Sequence, residues 1–211
     1  MTLSVSAVSV VAAESPTRAQ LLQALLTLMT DQPFSSITVQ QISRHAGLAR
    51  QTFYQHYRSR EELLLDYVDT VFAEFYDDIA GMVEESPQLS SDISQRLFEQ
   101  WNRHRDFSRL IFNAGLESLL IKRFQNYITR VLGLYVRQHQ IVVSDAERLG
   151  FMIDYLAGAS WMMLDRWVRN DFRYPPDKLA ELFSELSRPG FLNVMLQRQP
   201  RPCLAQIDDC L

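Results

Sequence analysis

Four side chains between residues 50 and 55 are of the types that hydrogen bond to the edges of DNA bases. Arg50 suits guanine, Gln51 and Gln55 suit adenine, and Thr52 can bond to several bases. The segment 50–57 is predicted to be a short helix, and its N-terminal turn would carry three of the four. This grouping predicts a helix that reads sequence in the major groove.

Other side chains in and before this helix can donate hydrogen bonds to phosphate oxygens. They are the phenols of Tyr54 and Tyr57, the imidazole of His56 and the hydroxyl of Thr38. A structural alternative exists for part of the set. One of the two tyrosines would join Phe53 in the core, and a basic residue such as Arg44 would be merely solvated.

The preceding residues predict the element that positions the reading helix. Thr38 and Gln41 form a capping box, and Ile37 with Ile42 forms a hydrophobic staple, so a helix begins at residue 38. Gly47 ends it in the left-handed conformation. Two short helices joined by a tight turn containing glycine form a helix-turn-helix, whose second helix enters the major groove.

The segment 37–64 resembles the signature of the tetracycline-repressor (TetR) family. Together with the helix before it, the match covers about a fifth of the chain. The resemblance implies an all-helical dimer with a three-helix DNA-binding head and a larger ligand-binding body. The matching elements are Thr38-Val39, Ala46-Gly47-Leu48, Thr52-Phe53-Tyr54, Tyr57 and Ser59-Arg60-Glu61-Glu62-Leu63.

Two positions depart from the family pattern. Ala49 stands where the family has a serine or threonine cap, which costs about 1 kcal/mol and removes a possible phosphate contact. Arg60 replaces the usual lysine and keeps a charge that can pair with phosphate. The predicted DNA-contacting residues are Thr38, Arg44, Ala49, Arg50, Gln51, Thr52, Tyr54, Gln55, His56, Tyr57 and Arg60.

The whole chain is predicted to be all-α, with a long fourth helix joining the head to the body. The expected divisions are a tail over 1–14, the helix-turn-helix head over 15–60, the body over 61–197 and a flexible tail over 198–211. The first helix would begin at Ser15-Pro16. The long helix would run from residue 59 to about 85, and the body helices would cover 92–105, 106–113, 116–139, 145–171 and 176–187.

Composition narrows the class of protein. The chain carries a net charge of −4, yet residues 15–60 contain five arginines and one acidic residue, Asp31, as expected of a head that touches phosphate. No apolar run is long enough for a membrane span. The apolar N-terminus lacks the basic start of a signal peptide, so we expect a tail. Cys203 and Cys210 cannot crosslink a core; free thiols are favoured over a redox switch, and we expect a cytoplasmic protein.

The body is rich in aromatic residues, which either fill its core or line a cavity. The residues predicted to contact a ligand are Trp101, Phe112, Phe124, Tyr127 and Tyr155. The small residues 157–160 and the amphipathic helix at 176–187 predict a homodimer interface, with an intramolecular contact as the alternative. The predicted interface residues are Ala157, Gly158, Trp161, Leu179, Leu182 and Phe183.

No catalytic constellation, metal-ligand spacing or cofactor motif is found, so we expect neither an enzyme nor a cofactor or metal site. The sequence therefore predicts a homodimeric repressor that binds double-stranded operator DNA and is released by a small apolar or aromatic effector. Two alternatives stay open. One is an activator whose ligand promotes DNA binding, and the other is a helical ligand-binding protein with a vestigial head.

Overall fold

The chain folds into helices throughout the part that the computed structural model describes, which is residues 15–85, 91–138, 140 and 145–196. These residues contain nine α-helices and no strand, as the all-α prediction requires. The C-terminal tail with both cysteines, the N-terminal tail over 1–14 and the β-branched run at 141–143 lie outside the described residues. The helices are α1 (Pro16–Asp31), α2 (Val39–His45), α3 (Arg50–His56), α4 (Arg60–Glu85), α5 (Ser91–Arg103), α6 (Arg105–Phe112), α7 (Glu117–Gln138), α8 (Ala146–Arg169) and α9 (Pro176–Leu196).

Local capping defines the ends of the short helices in the head. The Thr38 hydroxyl accepts the Gln41 N–H at 3.2 Å, and the Gln41 side chain accepts the Thr38 N–H at 2.8 Å, which confirms the capping box. Gly47 has φ +68°, and the Leu48 N–H donates to the carbonyl of Ser43 at 2.9 Å. This left-handed end turns the chain sharply, so that α3 begins three residues later.

The body is a bundle around an aromatic core. Helix α4 packs against α7, α7 packs against α8, and α5 packs against α9, while the short α6 lies against α8. The core rings are all buried and belong to Phe72, Phe75, Trp101, Phe107, Phe112, Phe124, Tyr127 and Trp161.

Helix α9 is longer than the sequence predicts. The sequence predicts an end at residue 187, before Arg188-Pro189-Gly190, but the helix continues to Leu196 with Pro189 inside. An internal proline removes one helical hydrogen bond and crowds the preceding turn, at a cost of about 3 kcal/mol. The preceding turns are held against α5 by the burial of Ala180 and Phe183, a tertiary contact that local stop signals do not reveal.

None of the helices in the described ranges combines the length and the hydropathy needed to cross a membrane.

Candidate nucleic-acid interface and body cavity

Helix α3 presents its predicted base-reading side chains on the outside of a buried scaffold. Arg50, Gln51 and Gln55 are exposed, and Thr52 is half-buried. Phe53, on the opposite side, is fully buried. The core therefore fixes the rotation of α3 about its axis, and with it the face that is turned to solvent.

Tyr54 and Arg50 form a pair on this exposed face. The Arg50 guanidinium lies 5.4 Å from the centre of the Tyr54 ring, and its Nη2 donates to the Tyr54 hydroxyl at 3.0 Å. The ring is 48% exposed. This contact restrains a long side chain before any partner binds, which lowers the entropy lost on binding.

The remaining exposed positions surround α3. Arg44 lies in the last turn of α2 and His56 in the last turn of α3, and both are exposed. Ala49 is the N-cap residue of α3 and forms no capping hydrogen bond, because its methyl side chain cannot accept one. The exposed Thr38 hydroxyl donates to Gln41 Oε1 at 2.8 Å, so it serves the capping box of α2.

Tyr57 was predicted to donate to phosphate, and its position contradicts this. The residue is 3% exposed, and its hydroxyl accepts from Arg18 Nε at 2.9 Å and donates to Asp66 Oδ2 at 2.9 Å. Arg18 and Asp66 are themselves paired at 2.7 Å. Burial raises the pKa of the Tyr57 phenol to about 12, and the hydrogen bond to Tyr57 raises the pKa of the Arg18 guanidinium. Tyr57 therefore joins α1, α3 and α4, and it is the tyrosine of the pair that belongs to the core.

Arg60 was also predicted to pair with phosphate, but its guanidinium is occupied within the chain. It donates to the backbone carbonyls of Phe34, Ser35 and Ile37, and it lies 4.9 Å from the centre of the Phe34 ring. It also pairs with Glu61 at 2.9 Å. Arg60 thus fixes the turn before α2 to the start of α4. The sequence could not reveal this, because the carbonyls lie more than twenty residues away.

The body holds an apolar cavity of about 120 Å³ between α5, α7, α8 and α9. It lies outside the aromatic core. Small polar residues on otherwise apolar helix faces, Ser160, Ser184 and Ser187, were the sequence signal that could have located it. The cavity is lined by Ile93, Ser94, Leu97, Ile128, Val131, Leu132, Tyr135, Leu156, Ser160, Phe183, Ser184, Ser187 and Arg188.

The structure does not place the predicted ligand contacts in this cavity. Trp101, Phe112, Phe124 and Tyr127 pack against one another and their neighbours, and the tilted rings of Phe112 and Trp161 have a centroid distance of 4.6 Å. Tyr155 is 56% exposed on the outer face of α8. The abundant aromatic residues of the body form its packed core, because large rings fill space well.

Helices α8 and α9 share an exposed apolar face that differs in part from the predicted interface. Of the predicted residues, Gly158 and Leu182 lie on it, and a Cβ at Gly158 would meet no atom within 4 Å. Ala157, Trp161, Leu179 and Phe183 are instead buried in the chain's own core. The large exposed residues of this outer face are Phe151, Tyr155, Met162, Leu182 and Leu186.

A groove between α8 and α9 opens onto this outer face. It is lined by Phe151, Tyr155 and Leu186 among others. Leu156 and Ser187 line both this groove and the cavity behind it. The partition between the cavity and the outer face is therefore one side chain thick at these two positions.

Several solved structures share this fold. FadR from Bacillus subtilis, solved in complex with stearoyl-CoA, is 16% identical, with a TM-score of 0.54 and coverage of 85% of this chain and 98% of that one. NalD, the secondary repressor of the MexAB-OprM multidrug efflux pump in Pseudomonas aeruginosa, is 16% identical, with a TM-score of 0.54 and coverage of 84% and 96%. The dihydroxyacetone kinase operon activator DhaS is 21% identical, with a TM-score of 0.51 and coverage of 82% and 95%. No curated protein sequence matches this chain.

Two family models match successive parts of the sequence. The model of bacterial regulatory proteins of the tetR family matches residues 21–67, which contain α2 and α3 and the start of α4. A model described as a transcriptional regulator C-terminal region matches residues 89–189 in the body. The chain therefore belongs to the TetR family of DNA-binding transcriptional regulators.

Proposed function

We propose that this regulator is a cytoplasmic homodimeric repressor that binds double-stranded operator DNA and releases it when a small molecule enters the body. The observation that carries the DNA-binding role is the exposed set Arg50, Gln51 and Gln55 on α3, held in a fixed orientation by buried Phe53. The corrected interface is smaller than the predicted one, since Tyr57 and Arg60 act within the head.

A dimer is supported by the outer face of α8 and α9. Phe151 is 68% exposed, Met162 63% and Leu186 62%. Contiguous apolar surface of this kind marks an interaction site, because its exposure to water is unfavourable. Two copies of the face, related by a twofold axis, would bury it and would set the distance between the two recognition helices.

A chain of contacts connects the cavity with the head. Leu156 and Ser160 of α8 line the cavity, and Trp161 of the same helix packs against Phe112 of α6. Arg109, Leu110 and Asn113 near the end of α6 line a common groove with residues of the head that include Met29 and Phe34. A ligand that shifts α8 would therefore move α6 against the head and alter the spacing of the two recognition helices.

The test is a comparison of variants on a DNA duplex that the protein selects from a random pool. Arg50→Ala and Gln51→Ala should each weaken specific binding by about 1–3 kcal/mol per lost base contact, while binding to unrelated DNA changes less. Arg103→Ala, at an exposed position of α5 in the body, is the matched control and should bind as the wild type does.

Unchanged binding by both the Arg50 and the Gln51 variant would refute the placement of α3 in the major groove. The direction of regulation is read separately by transcription in vitro from a promoter that overlaps the selected site. A repressor lowers transcript yield. DhaS, which shares this fold, is described as an operon activator. A raised transcript yield would establish that this chain acts as an activator instead.

A further inference from the structure

The cavity between α5, α7, α8 and α9 has room for a small apolar group. Its volume of about 120 Å³ is comparable with an engineered apolar cavity of about 150 Å³ that binds benzene. Ile93 and Leu97 of α5 and Ile128, Val131 and Leu132 of α7 form its apolar wall. The space therefore encloses an apolar group of about six carbon atoms and is too small to enclose a long acyl chain.

Much of the polar lining belongs to one helix. Ser184 and Ser187 of α9 both line the cavity, and neither hydroxyl has a hydrogen-bond partner among the described residues. Ser187 is only 7% exposed. By contrast, Ser160 of α8 donates to the Leu156 carbonyl at 2.6 Å and is satisfied. A buried hydroxyl without a hydrogen-bond partner is unfavourable, so a polar ligand group bound at α9 would supply the missing hydrogen bonds.

Arg188 adds a positive charge at the same edge of the cavity. It lines the cavity beside the two serines and is exposed, and it forms no ion pair with a described carboxylate. It also lies near Tyr135. Burial raises the pKa of the Tyr135 phenol, and the Arg188 charge offsets part of that rise. Two hydroxyl donors next to a guanidinium favour a charged acceptor over a neutral one.

Glu181 and Glu185 line the groove on the other side of Arg188. They weaken the positive potential around the cavity mouth. A bound anion would therefore be held by direct hydrogen bonds to Arg188 and the two serines, and a compact anion that reaches all three is favoured over one held at a distance.

We propose that the cavity binds a small monocarboxylate, with a benzene-sized apolar part between α5 and α7 and its carboxylate at Ser184, Ser187 and Arg188. That this acid is the effector rests on the proposed function. Its action would follow from the partition, because Leu156 and Ser187 line both the cavity and the outer groove. The acid would change the shape of the outer face and hence the pairing of the two chains.

Calorimetric titration of the full chain tests the ligand class with four probes. We expect benzoate to bind at least about tenfold more tightly than benzyl alcohol, since one charge-assisted hydrogen bond accounts for a factor of that size. Acetate leaves the cavity empty and decanoate exceeds it, so both should bind at least about tenfold more weakly than benzoate. Equal affinities for benzoate and benzyl alcohol, or tightest binding of decanoate, would overturn the proposal.

Variants locate the bound acid. Arg188→Gln should weaken benzoate about tenfold and leave benzyl alcohol unchanged. Val131→Phe should abolish binding of both, and Leu132→Phe serves the same purpose if Val131→Phe does not fold by circular dichroism. Arg173→Gln, at an exposed arginine outside the cavity lining, is the control and should bind benzoate normally. Undiminished benzoate binding by a folded cavity-filling variant would refute the site.

The effector role and the DNA-binding role fail in distinguishable ways. DNA affinity is measured for each protein with and without saturating benzoate, on the selected duplex and on unrelated DNA. Weakened specific binding in the wild type, absent in the folded cavity-filling variant, supports the effector role. Benzoate binding without any change in DNA affinity overturns that role and retains the site. Equal affinity for both duplexes, with benzoate bound as described, overturns the proposed function alone.

Discussion

Tyr54 and Tyr57 lie one helical turn apart, yet their hydroxyls have opposite surroundings. The Tyr54 hydroxyl accepts from Arg50 on the exposed face of α3. The Tyr57 hydroxyl lies between Arg18 and Asp66 inside the head. Residue type allowed either tyrosine to be a phosphate donor, and only the packing of α3 on α1 and α4 distinguishes the two. A similar distinction holds for Arg50, which is exposed, and Arg60, which is occupied by backbone carbonyls.

Removing each hydroxyl separately tests this assignment. Tyr57→Phe should lower the free energy of unfolding by about 1–2 kcal/mol, because Arg18 and Asp66 lose a buried partner. Tyr54→Phe should change stability by less than about 0.5 kcal/mol, as expected at an exposed site. Urea denaturation measures both.

DNA titration supplies the converse comparison for the same two variants. Tyr54→Phe should lose about 1 kcal/mol of DNA affinity, since it removes an exposed donor beside Arg50. The folded Tyr57→Phe protein should bind DNA as tightly as the wild type, because no phosphate contact is lost. A weaker DNA affinity of the folded Tyr57→Phe protein would show that its hydroxyl contacts the DNA.

Helices α2 and α3 were predictable almost residue for residue because their ends are set by local signals. The Thr38–Gln41 capping box and the left-handed Gly47 lie within a few residues of the ends they define. The continuation of α9 past Pro189 and the location of the cavity depend on contacts between distant helices. Aromatic content indicated a large core but not which ring lines empty space, so none of the predicted ligand residues lines the cavity.

Alanine substitutions at two glycines distinguish the effect of backbone conformation on stability from the effect of packing. A Cβ at Gly47 or at Gly81 would meet no atom within 4 Å, but Gly47 has φ +68° whereas Gly81 lies inside α4. Gly47→Ala should therefore destabilise the head by about 1–2 kcal/mol, through left-handed strain. Gly81→Ala should stabilise the protein by about 0.5–1 kcal/mol, because alanine is favoured within a helix. Thermal unfolding measures the change in stability of each variant. A change of the same sign in both would contradict the left-handed end of α2.

At the scale of the whole molecule, one side of α8 packs into the core and the other side is an exposed apolar face. Trp161 faces the core rings, and the neighbouring Met162 faces outward. The sequence directed the interface prediction to α8 and α9, partly because the small residues 157–160 stood out. It could not assign their faces, since that requires knowing where α6 and α7 pack.

A charge on the outer face should break the proposed dimer. Met162→Glu would enter a twofold interface twice, so sedimentation should show a monomer at concentrations where the wild type is dimeric. DNA affinity should then fall by at least about a hundredfold, because two linked heads no longer bind as one unit. Leu119→Glu places the same charge on α7 at a leucine that is 42% exposed, and it should stay dimeric. A monomeric wild type, or an unperturbed Met162→Glu dimer, would contradict the assignment.

In the proposed dimer, the thin partition formed by Leu156 and Ser187 would limit how this regulator can diverge after gene duplication. A substitution at either position alters the cavity and the outer groove together. A copy that acquires a new ligand through these residues would at the same time lose its fit to the parent chain. Change of specificity and avoidance of mixed dimers would then arise in a single mutational step, whereas changes on α5 or α7 would leave the two copies free to pair.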